Sequence, residues 1–443
     1  MAKRNVIIMG AAGRDFHNFN VFFRNNTAYN VVAFTAAQIP DISGRKYPSV
    51  LSGARYPSGI PIYDEKELPR LIRYYKVVEV VLAYSDISNE EVMQKAALVI
   101  ANGATFSLLG PADTMIKSNK PVVAVCAVRT GSGKSALSRF IVNHFRRHGN
   151  RVVIVRHPMP YGDLTKQAVQ RFETVDDLKK HNCTIEEREE YEPHIVNGAI
   201  VYAGVDYEKI LRQAEKEADI ILWDGGNNDF PFYTPDLHIT IADPHRPGHE
   251  IAYYPGESNF IMADAIVIGK TNTALKKNID LVERHAREFN PHAKIIRGTL
   301  EINADGIEKI RGKRAIVIED GPTLTHGGMQ YGAGMIAAQK YGAKVIDARK
   351  LAVGSIKEVY AKYQHLDRIL PAVGYGEKQM KELQATINKC TNCDIVIDAT
   401  PADLQRVMKI DKPILNITYE YRDVGGRMTK LLADFERKNV RRK

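Results

Sequence analysis

Residues 122–140 read VVAVCAVRTGSGKSALSRF, and this stretch restricts the fold more tightly than any other in the chain. Val122 to Cys126 have the apolar, partly β-branched character of a strand buried on both faces of a parallel sheet. Arg129, Thr130, Gly131, Ser132, Gly133, Lys134 and Ser135 follow, and Ala136 leads into a helical pattern. Gly131 and Gly133 let the backbone curl until successive N–H groups face one anion. Lys134 can then reach the β/γ-phosphates, and the Ser135 hydroxyl can sit on Mg²⁺ at the positive end of the helix. A strict G-x-x-x-x-G-K-S would have glycine where Val128 stands. The strand before and the helix after supply the context such a loop requires, so residues 129–136 are expected to bind a nucleoside triphosphate.

The alternation of strands and helices around this loop predicts an α/β protein: a Rossmann-like N-terminal domain, a P-loop domain and a further α/β C-terminal segment. The expected spans are 1–118, 119–311 and 312–443, the last either a separate domain or an extension of the P-loop sheet. In the first span, strands are expected at 5–9, 31–34, 77–83 and 105–108, with helices at 65–75 and 89–102. A long Gly/Pro-rich segment, 40–64, interrupts this order, and loops of that length commonly carry function. Its Arg45 and Lys46, with Arg55 and Arg14, either line an anion site or are surface charges.

A P-loop needs carboxylates at the end of a neighbouring strand. ADIILWDGGNNDF provides Asp224 after four apolar residues, as a Walker-B-like Mg²⁺ ligand and catalytic group. In RHPMPYGDLTKQ, His157 becomes a substrate contact, and Asp163 is either a metal ligand or a helix N-cap. IADPHRPGHE places Arg246 where it can recognise a phosphoryl group. EDGPTLTHGG offers Thr323, Thr325 and His326 before a helix, a second anion cradle without a lysine, with His326 also a candidate for proton transfer. CTIEEREEYEPH carries five glutamates around Arg188, expected as a solvated acidic face, with metal binding or gating as the sharper alternative.

The formal net charge of +10 leaves nucleic acid or a polyanionic small molecule as partners. Recognition-helix, zinc-finger and ribonucleoprotein signatures are lacking in the sequence, so nucleic acid is not expected. No apolar run approaches the roughly 18 residues of a membrane span. Four cysteines, with a lone C-x-x-C at 390–393, suggest a reducing, cytoplasmic setting and no zinc site.

GAAGRDFHNFN at 10–20, RTGSGKS at 129–135, RHPMPYGDL at 156–164, HRPGHE at 245–250 and EDGPTLTHGG at 319–328 together resemble the cyclic 2,3-diphosphoglycerate synthetase-like proteins, over nearly the whole chain. The resemblance implies an ATP- and Mg²⁺-dependent ligase that closes a phosphoanhydride in 2,3-diphosphoglycerate or activates a related phospho-acid, releasing ADP and phosphate. It also implies a homodimer. Members of one branch are labelled GTPases, and they carry an N-K-x-D-like string that reads the guanine edge. Here the corresponding string is Gly269-Lys270-Thr271-Asn272. A neutral amide at 272 cannot offer two carboxylate acceptors, so ATP is expected over GTP, with Lys270 and Asn272 near the base. The alternative is a nucleotide-switched NTP hydrolase, a regulator or assembly factor acting on a protein partner.

Overall fold

Strands that are apolar on every residue must be covered on both faces, and the chain meets this demand with layers of helices on parallel sheets. The computed structural model describes residues 3–37, 42–157, 162–226, 229–325, 328–372 and 377–440. They form three large sheets and one two-stranded ribbon. The first sheet has six strands, with Arg4–Met9 at its middle between Tyr29–Ala36 and Glu79–Leu82, all parallel. The long Gly/Pro-rich segment is not structureless. It contributes Lys46–Tyr47 and Ile60–Asp64, which pair antiparallel and extend this sheet.

The second sheet has nine strands. Val122–Ala127 lies inside it between Ile220–Trp223 and Leu237–Ala242, with every residue of all three strands buried. Lys294–Asn303 and Thr418–Asp423 close one edge as an antiparallel pair whose partners are over a hundred residues apart in sequence. The third sheet is centred on Arg314–Asp320 and Ile395–Ala399 and is built from residues 314–416. The expected C-terminal segment is thus two things: residues 314–416 have their own sheet, whereas residues 418–439 return to the P-loop sheet. The helix Arg427–Asn439 packs Met428, Leu431, Leu432 and Phe435 into the core shared with the P-loop helix Lys134–Arg147.

The C-terminal ends of the parallel strands converge. Those of the second sheet deliver Arg156, Asp224, Asp243 and Lys270 around the loop after Val122–Ala127, and the third sheet delivers Glu319, Asp320 and Thr400. In open α/β sheets the space outside the carboxyl ends is where ligands bind.

Candidate active site

The P-loop has the backbone its sequence calls for. Gly131 and Gly133 have φ of +79° and +105°, conformations that residues with a Cβ rarely adopt, and the helix starts at Lys134. The loop is fixed from several sides. Asp86, just beyond the first sheet's strand Glu79–Leu82, accepts hydrogen bonds from Arg129 Nε at 2.6 Å and Thr130 Oγ1 at 2.7 Å. The Arg129 guanidinium also lies 3.7 Å from the Tyr253 ring centroid, in the ribbon that Tyr253–Tyr254 forms with Ile87–Ser88. Lys270 Nζ donates to Gly131 O at 2.6 Å and to Asp243 at 2.8 Å, and Arg246 donates to Thr130 O at 2.8 Å and to the same Asp243 carboxylate. Lys270 and Arg246 therefore brace the loop. Asn272 uses both ends of its amide on the backbone of Leu300, at 2.9 and 3.3 Å.

Asp224 is fully buried at its strand end, as its apolar run requires. Lys134 and Arg156 form ion pairs with it, and His194 Nε2 lies 3.2 Å from it. Burial alone would raise its pKa, yet Arg156 and Lys134 hold the carboxyl well below the usual range, so it stays ionised. Ser135 is exposed and lines the cavity described next.

A cavity of 1790 Å³ opens between the second and third sheets. Arg129, Thr130, Gly131, Gly133, Lys134, Ser135 and Ala136 line one side of it, and Arg246, Lys270, Asn272 and Thr323 also reach it. Ser132 is buried beneath the loop. A Cβ placed on Gly131 would come 3.1 Å from the Thr323 methyl, so the 320s segment lies directly against the P-loop. Thr325 instead donates to Gly321 O, outside the cavity lining. His326 lies outside the described residues.

The facing wall carries carboxylates. The helix Ile185–Val196 is capped by a Thr184–Glu187 box and brings Glu186, Glu189, Glu190 and Glu192 to the cavity. Far from a solvated face, Glu186, Glu187, Glu189 and Glu192 are all at most 6% exposed, because the third sheet covers this helix. Glu190 pairs with Arg156, and Glu192 with Arg406. Asp320 accepts a hydrogen bond from Thr323 Oγ1, and burial, aided by Glu190, raises its pKa to about 6 against that bond. Glu319 accepts the amides of Gly332 and Met335, at 3.0 and 2.8 Å, and caps the helix Ala333–Tyr341. Burial still pushes it to about 7.

Several expected contacts lie elsewhere. Arg14 is 3% exposed, stacks 4.2 Å from the Phe230 ring centroid and donates to Leu109 O, away from the cavity lining. Arg45 and Lys46 are on the surface, donating to Gly162 O and Ser58 O. His157 is buried against Gly226, outside the cavity lining. Asp163 accepts two bonds from Thr165 on the surface, away from the cavity, in a segment that forms turns and not the helix it was expected to cap. No sequence signal singled out Asp86, Arg156, His194 or the burial of the glutamate helix. The first three are isolated polar residues, and the fourth depends on cover from residues more than a hundred positions away.

The chain is 58% identical over 438 residues to the arginine synthetase ArcE of Thermococcus kodakarensis, an alignment that covers 99% of this chain and 98% of that protein. It matches no protein-family profile. Among solved structures, LpxK from Aquifex aeolicus, an "apo" form in complex with ATP, has a TM-score of 0.45 at 12% identity, covering 83% of this chain and 98% of that one. The UDP-N-acetylmuramate:L-alanyl-gamma-D-glutamyl-meso-diaminopimelate ligase of Neisseria meningitides has a TM-score of 0.28 at 10% identity, covering 69% and 83%.

Proposed function

We propose, from the premise that the chain belongs to the family of the arginine synthetase ArcE, that it is an ATP-dependent ligase whose product is arginine. The single observation that carries the reading is the pairing of a P-loop with a carboxylate wall in one cavity. A phosphoryl-transfer loop activates an oxygen. Carboxylates opposite it suit a cationic nitrogen group, and they repel a polyanion such as 2,3-diphosphoglycerate. Closure of a phosphoanhydride in that acid would set several phosphate charges against Glu189 and Asp320, so the acceptor is better read as an amidino or ureido compound.

Arginine differs from its ureido analogue, citrulline, by nitrogen in place of one oxygen. The ureido oxygen attacks the γ-phosphorus, the bond to the β-phosphate oxygen breaks, and ADP leaves. Ammonia then attacks the activated carbon, the C–O bond breaks, and phosphate departs with its electrons. Lys134 and the amides of residues 131–135 stabilise charge on the transferring group, since their positions are set before the nucleotide arrives. Arg156 keeps Asp224 anionic while Lys134 is engaged with phosphate. A hydroxyl and a carboxylate are hard oxygen donors of the kind Mg²⁺ takes, so Ser135 and Asp224 would hold it with the phosphates, where it would neutralise charge. A cytoplasmic location follows from the cysteine usage, and a homodimer from the resemblance, within the same proposal. Among the described residues no helix is long and apolar enough to cross a membrane.

Purified protein with ATP, Mg²⁺, ammonium and citrulline should release one ADP per arginine formed, and 2,3-diphosphoglycerate in place of citrulline and ammonium should release none. ADP formation coupled to the diphosphoglycerate alone would contradict the proposal.

A further inference from the structure

Glu189 stands out among the buried charges. It is 6% exposed, it lines the cavity, and among the described residues its carboxyl meets no N–H or hydroxyl donor, its polar contact being the Asp320 carboxyl. Other cavity carboxylates are matched: Glu190 with Arg156, Glu192 with Arg406, and Glu319 with two backbone amides. The neighbour of Glu189 is a second carboxyl, Asp320, whose other contact is the Thr323 hydroxyl. Thr323 in turn lies against Gly131 of the P-loop. The chain of contacts from Glu189 through Asp320 and Thr323 thus ends at the phosphate site. Two buried carboxyls in contact cannot both ionise without a cation between them, and such a pair facing a cavity suits a ligand that brings N–H donors and positive charge.

We propose that Glu189 and Asp320 form the subsite for the nitrogen nucleophile, and that Glu189 is the catalytic residue that takes its proton. The inference rests on the arginine-forming reading above. Ammonium N–H groups supply the donors that Glu189 lacks. One proton passes from ammonium to the Glu189 carboxylate, and the freed lone pair attacks the activated carbon. As the C–O bond breaks, the carboxyl returns that proton to the leaving phosphate oxygen, so the enzyme ends as it began. Burial, with Asp320, Glu186, Asp398 and Glu190 around it, raises the Glu189 pKa well above the ordinary value, so the free pair holds a proton; the charge of ammonium bound between the two carboxyls releases it to solvent, and Glu189 then takes the ammonium proton readily. Lys134 and Arg156, on the P-loop side, hold the opposite charge.

The test compares Glu189→Gln with the wild type using two nitrogen donors. Ammonium must lose a proton before it attacks, whereas hydroxylamine is already unprotonated at neutral pH. The variant should lose about a hundredfold or more in kcat with ammonium and only a few-fold with hydroxylamine. Asp320→Asn, which keeps the shape of the pair, should raise the KM for ammonium more than that for citrulline. Equal losses with the two donors, or full activity of Glu189→Gln with ammonium, would overturn the inference while leaving the arginine reading intact. A wild-type enzyme that makes no arginine derivative from either donor would overturn both. ATP affinity should stay at the wild-type value and the melting temperature should not fall below it, since each amide replaces a buried carboxyl of raised pKa; their collapse together with activity on both donors would show a structural role instead.

Discussion

At the scale of single residues, the protein separates carboxylates that must stay charged from those that stay protonated near neutral pH. Asp224 is kept anionic by Arg156 and Lys134. Asp229 is also buried, at 8% exposure, but one of its oxygens has no hydrogen-bond partner, and burial pushes its pKa to about 7 despite the Arg14 charge beside it. Between its unfolded value of 3.8 and about 7 the native state therefore holds more protons than the unfolded chain, so this group lowers stability as pH rises through that window. Asp229→Asn should leave stability unchanged near pH 3.5 and should be progressively more stable than wild type from about pH 4 to pH 7, by up to a few kcal/mol. Urea titrations across that range would show it, and a difference independent of pH would count against the assignment. The sequence made Lys134 and Asp224 legible because a glycine loop and an apolar strand each fix the position of the next polar residue. It did not reveal Glu189, since glutamates at 186, 187, 189, 190 and 192 cover several faces of a helix and look like a solvent-facing pattern.

At the scale of elements, local patterning specified what is buried locally. Ile220–Trp223 falls where its apolar run predicts it, and all four residues are buried. Lys294–Asn303 escaped, because its charged and apolar residues do not form a continuous run and its partner Thr418–Asp423 is far along the chain. That pairing carries the last helix back onto the P-loop helix. Phe435 is 5% exposed in their shared core, with its ring 5.7 Å from that of Phe145. Phe435→Ala should cost about 3–5 kcal/mol, the usual range for removing a buried aromatic ring. A loss under about 1 kcal/mol in urea unfolding would mean that the C-terminal helix contributes little to the P-loop domain.

At the scale of the whole molecule, three sheets present their functional ends to one another. The first sheet does not line the cavity. It reaches the site through Asp86, which fixes the P-loop. The second sheet carries the glycine loop and Lys134 at one side of the cavity, and the third supplies Asp320 and covers the glutamate helix. The layer order was legible in the alternation of strands and helices, but the face-to-face placement of two sheets depends on contacts between distant segments that no local pattern encodes. The central claim is that the P-loop activates the acceptor's oxygen so that nitrogen can replace it. Citrulline labelled with ¹⁸O in its ureido group tests this directly. With ATP, Mg²⁺ and ammonium, the account predicts one ¹⁸O in each inorganic phosphate released and none in ADP. Phosphate that is unlabelled while arginine forms would contradict it.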